Sequence, residues 1–396
     1  MADTAVVLAA GEGTRLRPLT RNRPKPMLPA ANRPILAHVL DALVDAGVEE
    51  LVVVVGYKHD RVQNHFGPTY RDVPITYVRQ NKQLGTGHAL LQARESVEGP
   101  MLVVNGDCLI DSTLVEDVCQ AFDRGNGEPT LAVLEGPDAR QYGAVTVREG
   151  LVQQLIEKPQ TDEYRLINAG IYAFDDDIFD AIDDTPREEG ELALTTTLAQ
   201  ELDDGRIRAV ETDGLWVDAT YPWDLLAVAS EILDHGLTDE PEFDDRVWVD
   251  ETAIVHEDAT LQPPVVVGPD CEVGPGAVVG PHSALGRNVT IGSNATVVNS
   301  VLDVDTRIGP GSTLLETVTG QHVRLGPSSV VSGGPADVRV GNEVFEDEAL
   351  GAVIADRVRA EGNVGFGPGS LVGPNAHLDT GVTVDGQVRE SAEVRR

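Results

Sequence analysis

Glycine returns every six residues in the last third of this 396-residue chain, at Gly268, Gly274, Gly280, Gly286 and Gly292. Each of these follows Val, Leu or Ile. The phase then shifts, returns at Ile308-Gly309, and a second run sets Gly367, Gly373, Asp379 and Asp385 six apart. A hexapeptide period is the mark of a parallel β-helix, in which three short flat strands make each coil and the aliphatic residue points inward. A glycine-rich linker would not hold an aliphatic residue in step with the glycine, so that reading fails.

Residues 1 to about 235 follow a different pattern. Continuous apolar runs at residues 5–10, 51–55 and 101–104 read as buried strands. Apolar residues at helical spacing mark helices over 35–46, ended by Gly47, and over 88–97, 114–122 and 223–235. Such alternation predicts a parallel sheet covered by helices. Residues 143–147 and 152–157 read as a hairpin around Glu149-Gly150. The length exceeds one ordinary core. We therefore expect a first domain over residues 1–235, an acidic linker containing Pro241 over 236–247, and a β-helix over 248–396.

Composition narrows the function classes. A formal charge of −35 excludes a nucleic-acid-binding surface. No stretch approaches a membrane span and the N-terminus lacks a basic leader, so a cytoplasmic protein without membrane partners is expected. Cys108, Cys119 and Cys271 have no metal spacing and read as buried reduced thiols. Of thirty basic residues only Lys25, Lys58, Lys82 and Lys158 are lysine. Few lysines beside 65 acidic residues suggest a halophilic protein, in which salt blunts self-repulsion.

The first apolar run opens into a glycine turn, Leu8-Ala9-Ala10-Gly11-Glu12-Gly13-Thr14-Arg15, followed by Pro24-Lys25-Pro26-Met27. The carboxyl end of a parallel strand is where open α/β sheets bind ligands. Glycines there admit a phosphate close to the backbone, and Arg15 and Lys25 can meet its charge. Neither the dinucleotide fingerprint nor the Walker pattern fits. The full string Leu-Ala-Ala-Gly-Glu-Gly-Thr-Arg-Leu-Arg-Pro-Leu-Thr with Pro-Lys-Pro-Met-Leu-Pro resembles the signature of the sugar-1-phosphate nucleotidylyltransferases. The family implies a Rossmann-like α/β domain with a mostly parallel sheet. It also implies transfer of a nucleotidyl group from UTP or dTTP to a sugar 1-phosphate, with release of pyrophosphate.

Further segments carry the resemblance in order. Gln80-Asn81-Lys82-Gln83-Leu84-Gly85-Thr86-Gly87-His88 resembles the base-reading segment, most closely that of the N-acetylglucosamine 1-phosphate uridylyltransferases. An amide offers the donor and acceptor that a pyrimidine edge needs. The resemblance places Leu8, Ala9, Ala10, Gly11, Gly13, Thr14, Gln80, Gln83, Gly85 and Thr86 at the nucleotide, and Arg15 and Lys25 at the reacting phosphates. His88 reads as structural. Asp107 follows an apolar strand in Asn105-Gly106-Asp107, where a carboxylate beside a triphosphate can hold Mg²⁺. Its other reading is a helix N-cap, a role that Asp111 fits better. By resemblance Asp218 would be the second ligand, and Gly143, Glu157, Lys158 and Asn168 would meet the sugar phosphate.

The C-terminal half resembles the left-handed β-helix of hexapeptide-repeat acyltransferases, which implies a homotrimer. Archaeal two-headed relatives acetylate an amino-sugar phosphate from acetyl-coenzyme A on this domain. Their motif is altered here: Arg324 stands in place of Asn, Pro327-Ser328-Ser329 in place of Ala-Gly-Thr, and no His–Tyr pair precedes His322. We expect His322 to be a surface or coil-corner residue. A bifunctional enzyme that also acetylates glucosamine 1-phosphate stays as the alternative. A protein that only binds nucleotide sugars would be expected to have lost Arg15, Lys25 or Asp107, and all three are present.

Overall fold

The computed structural model describes residues 2–136, 139, 142–157, 159, 164–188, 190–204 and 206–396. The chain divides into two compact units. One comprises the residues up to Glu12 with Pro24–Met27 and Ile35–Val217; the other comprises Gly13–Arg23, Leu28–Pro34 and Asp218–Arg396.

The first unit is an α/β domain with a Rossmann-like centre. Strands Thr4–Ala9, Glu50–Val55 and Met101–Asn105 are short runs of Val, Leu and Ala without alternation. They pair in parallel, with Ala5 opposite both Leu51 and Leu102. Val73–Arg79 extends the parallel centre beyond Glu50–Val55. Both faces are buried, one beneath the helices Ile35–Asp45 and Ser112–Arg124 and the other against Leu90, Phe179 and Leu198. Beyond this centre the sheet is mixed. Leu166–Phe174 runs antiparallel to Met101–Asn105 and to Thr130–Glu135.

Local signals account for most boundaries. Gly47 at φ +90° stops the first long helix. Asp111 caps the helix Ser112–Arg124 by accepting the Leu114 N–H at 3.0 Å. Glu149 and Gly150, both at positive φ, close the hairpin of Gly143–Arg148 on Leu151–Glu157. The segment 88–97, expected as one helix, is two pieces. Gly85 at φ +96° turns the chain so that the helix starts earlier, at Thr86, and it ends at Leu91 before a 3₁₀ turn at Arg94–Ser96.

The second unit contains the β-helix. Three parallel sheets each collect one strand per coil. Val247 pairs with Val265 and Val265 with Ser283, eighteen residues on each time, which is three hexapeptides. Ala284 then pairs with Val301 and Thr296 with Thr313, seventeen residues on. The corner holding Asn299 is thus one residue shorter, which is the phase shift seen in the sequence. From Val318 the next partner is Val353, because the antiparallel hairpin Ala336–Val340 and Glu343–Glu348 is inserted between coils. Val, Leu, Ile and Ala fill the interior. Within 236–247, Glu242–Asp244 forms a strand antiparallel to Val247–Val249, the first coil strand. The three cysteines are buried free thiols, and burial pushes Cys119 up to about 11 and Cys271 up to about 12.

Candidate active site

In the first unit, the ends of the parallel strands and the loops after them gather most of the expected residues. Leu8, Ala9 and Ala10 lie at or just past the end of the first strand and are buried. A Cβ added at Gly11 would meet nothing within 4 Å, so the backbone there faces open space. The Gln83 amide donates to the Ala10 carbonyl at 2.9 Å and ties the second segment to the first. Gly56, which the sequence reading passed over, belongs to the same join: a Cβ there would lie 2.7 Å from the Ala10 oxygen.

Gln80 is tied to its own segment by hydrogen bonds. It is buried, and its amide donates to the Gly85 carbonyl at 3.1 Å and meets His88 Nδ1 at 2.9 Å. With Nδ1 as acceptor, the proton of the neutral imidazole sits on Nε2. Burial, aided by Arg187, holds the His88 pKa below the usual imidazole range. Gly85 and Thr86 pack on a segment missed in the sequence: a Cβ at Gly85 would sit 2.4 Å from the Leu192 oxygen, and Thr86 Oγ1 accepts the Leu194 N–H at 3.0 Å.

Lys25 Nζ lies 2.9 Å from Asp107 Oδ2. The lysine is 9% exposed, whereas the aspartate side chain is 36% exposed at the end of Met101–Asn105. A buried ammonium is therefore fixed beside an accessible carboxylate at the strand ends. The strand that begins at Trp216 and ends at Asp218 neighbours Cys108–Ile110, the strand that Asp107 precedes. Among the described residues no three His, Cys, Asp or Glu side chains form a metal cage. Mg²⁺ ordinarily takes one or two carboxylates and completes its shell with water and substrate phosphates. The accessible hard oxygens of Asp107 fit that ion.

A third group brings together residues expected on the sugar side. A Cβ at Gly143 would meet Glu157 Oε2 at 3.4 Å and Asn168 Cβ at 3.5 Å, so the three residues share one place. Asn168 donates to the Tyr172 hydroxyl at 2.7 Å and accepts the Gly170 N–H at 3.0 Å. Trp216, not singled out in the sequence, donates to the Ala169 carbonyl at 2.8 Å and meets Tyr142 edge-on at 5.5 Å. Lys158 lies outside the described residues.

Gly13, Thr14, Arg15 and Asp218 belong to the second unit. Gly13 adopts φ +68° and its carbonyl accepts Thr20 Oγ1 at 2.7 Å, which folds Thr14–Leu16 into a 3₁₀ turn. Arg15 lies over the Tyr221 ring at 5.9 Å. Asp218 accepts the Thr220 hydroxyl. Arg23 is buried between Asp303 and Asp356, the second at 3.2 Å, and joins the signature segment to two coils of the β-helix. His322 stands at a coil corner with φ +60°, half-exposed, 3.1 Å from Asp305.

This fold is that of a nucleotidyl transferase domain. Residues 4–235 match the nucleotidyl transferase family and residues 243–333 the GMPPB C-terminal domain. The chain belongs to the nucleotidyl transferase family. It is 34% identical to the bifunctional protein GlmU of Methanococcus maripaludis (strain C7) over 98% of this chain and 96% of that protein. It is 39% identical to the UTP–glucose-1-phosphate uridylyltransferase AglF of Haloferax volcanii over 56% of this chain and 92% of the relative. Against two other Methanococcus proteins described as GlmU, the match spans about half of their length, 54 and 55%. A crystal structure of UDP-glucose pyrophosphorylase complexed with UDP-glucose aligns with TM-score 0.55 and 23% identity over 59% of this chain and 100% of that one, a likeness of fold. No helix among the described residues is long and apolar enough to cross a membrane.

Proposed function

We propose that the protein transfers a uridylyl group from UTP, or a thymidylyl group from dTTP, to glucose 1-phosphate or N-acetylglucosamine 1-phosphate. The observation that carries this reading is the Lys25–Asp107 pair at the strand ends, in the same unit as the Gly143, Glu157 and Asn168 group. An oxygen of the sugar phosphate attacks the α-phosphorus, the bond from that phosphorus to the bridging oxygen breaks, and pyrophosphate leaves. The acceptor is already an anion, so no general base is assigned. Lys25 stabilises the charge that grows on the departing phosphates, and Arg15 is assigned the same task. Asp107 and Asp218 would hold Mg²⁺, which when bound supplies positive charge against the triphosphate. Gln83, Gly85 and Thr86 shape the base side, with Gln80 orienting them. Glu157 and Asn168 bond the sugar hydroxyls, and Lys158 meets the sugar phosphate.

The names of the similar proteins support uridylyl transfer as the first substrate choice. Pyrophosphate release across a matrix of triphosphates and sugar 1-phosphates, at molar KCl, tests the reading. No release with any pair would sink it.

The second reading, acetylation of glucosamine 1-phosphate, is favoured by the near full-length match to a protein described as bifunctional. We propose instead that the β-helix is an assembly domain that forms a homotrimer, since flat prism faces pack with closed symmetry. The exposed corner position of His322, and the proline at 327 with no N–H to donate, support this. Thiol release from acetyl-coenzyme A, abolished by His322→Ala, would restore the second reading. Light scattering that gives a monomer mass would reject the trimer.

A further inference from the structure

A cavity of about 850 Å³ that lies wholly within the second unit departs from the acidic balance of this chain. Over the whole sequence acidic residues outnumber basic ones by 65 to 30. Around this cavity the order reverses: Arg15, Arg17, Arg21, Arg339 and Arg389 face it, against Glu343 and Glu390. The arginines come from three separate places in the chain. The signature segment supplies three, the hairpin inserted between coils supplies Arg339, and one of the last coils supplies Arg389. Arg339 and Arg389 are exposed, and among the described residues neither side chain forms an ion pair.

Arg339 and Arg389, without an ion pair of their own, keep their charge available to a ligand beside the other guanidinium groups. They suit an anion with several oxygens, for which the planar donor fork of arginine is shaped. The wall also carries a rigid aromatic surface. Tyr221 stacks on Trp223 at 4.9 Å, and Phe345 of the inserted hairpin packs against both, at 4.5 and 5.2 Å. The hairpin is thereby fixed as one side of the cavity rather than left as a loose arm.

We infer that this cavity is a second binding site, for a phosphate dianion, either free or carried on a hexose. The volume accommodates a phosphorylated hexose. An occupant holds Arg15 in the cavity and so lowers the turnover number. That consequence rests on the proposed nucleotidylyl transfer, whereas binding itself does not.

The test is calorimetric titration of the full-length protein with inorganic phosphate and, separately, with glucose 6-phosphate, whose anomeric carbon carries no phosphate. The expected result is binding that weakens with KCl and becomes about a hundredfold weaker in the double variant Arg339→Ala/Arg389→Ala, since each of the two lost charged contacts is worth about a factor of ten. The double variant Arg339→Lys/Arg389→Lys keeps the charge without the fork and binds with an affinity between those of the parent and the alanine variant. Tighter binding of glucose 6-phosphate assigns the ligand as a sugar phosphate, and equal binding assigns phosphate alone. Turnover in the absence of added anion is unchanged in the alanine variant, and inhibition by the anion is lost with binding. No heat of binding, or an affinity unchanged in the alanine variant, overturns the proposal.

Discussion

Asp107 and Lys25 show how two residues far apart in sequence become one chemical unit. Each was legible by itself, one as a carboxylate after a strand and the other inside a proline-framed motif. Their 2.9 Å contact has no local signal, because it depends on how the sheet closes. Asp107→Ala is expected to raise the Mg²⁺ concentration needed for half-maximal turnover, with a lower melting temperature because the buried Lys25 loses a carboxylate partner. A Mg²⁺ titration that matches the parent would withdraw it as a ligand, and the same titration judges Asp218. Arg23 lies at the other extreme. It is one of four arginines between residues 15 and 23, and nothing local marks it as the buried one. Arg23→Ala leaves Asp303 and Asp356 buried without their cation, which costs about 3–5 kcal/mol. Arg23→Lys does not restore the loss, since a point charge cannot span both carboxylates. Thermal melts of the two variants check this. His88 adds a pH dependence. Its folded pKa lies below its unfolded value, so its contribution is fully present above the unfolded pKa and is lost as pH falls through that value toward the folded one. Melting followed from neutral to mildly acidic pH should show a fall that is smaller in His88→Ala. Equal falls in both would remove His88 as the cause.

At the scale of elements, the readable features were those written in a few adjacent residues. Asp111 as a cap, Gly47 as a stop, Glu149-Gly150 as a turn and the six-residue period all depend on near neighbours, and the structure shows each. The antiparallel course of Leu166–Phe174 was not legible, because direction is set by the sheet and not by the strand. The inserted hairpin was not legible either. Its alternation is weak, and most of it is exposed. Its Phe345 packs on Tyr221, the ring beneath Arg15. Phe345 also packs on Trp223, and removing the two aromatic pairs costs about 2 kcal/mol. Phe345→Ala should therefore lower turnover severalfold by loosening the support of Arg15, with a small drop in melting temperature. Turnover and melting both equal to the parent would show that the hairpin does not position Arg15.

The whole molecule is governed by charge. With a formal charge of −35, repulsion within the folded chain grows as salt is removed. Melting temperature should rise steeply from dilute buffer to molar KCl, and a flat profile would count against a halophilic protein. For the proposed nucleotidylyl transfer, molar salt leaves only short-range, preorganised contacts to act on the triphosphate. Lys25, buried and already seated beside Asp107, is such a contact. The most direct measurement is pyrophosphate release from UTP and a sugar 1-phosphate at molar KCl with Mg²⁺, run on the parent and on Lys25→Ala. The parent is expected to turn over and the variant to lose about 3 kcal/mol, roughly a hundredfold in rate. Equal rates in the two proteins would contradict this role of Lys25.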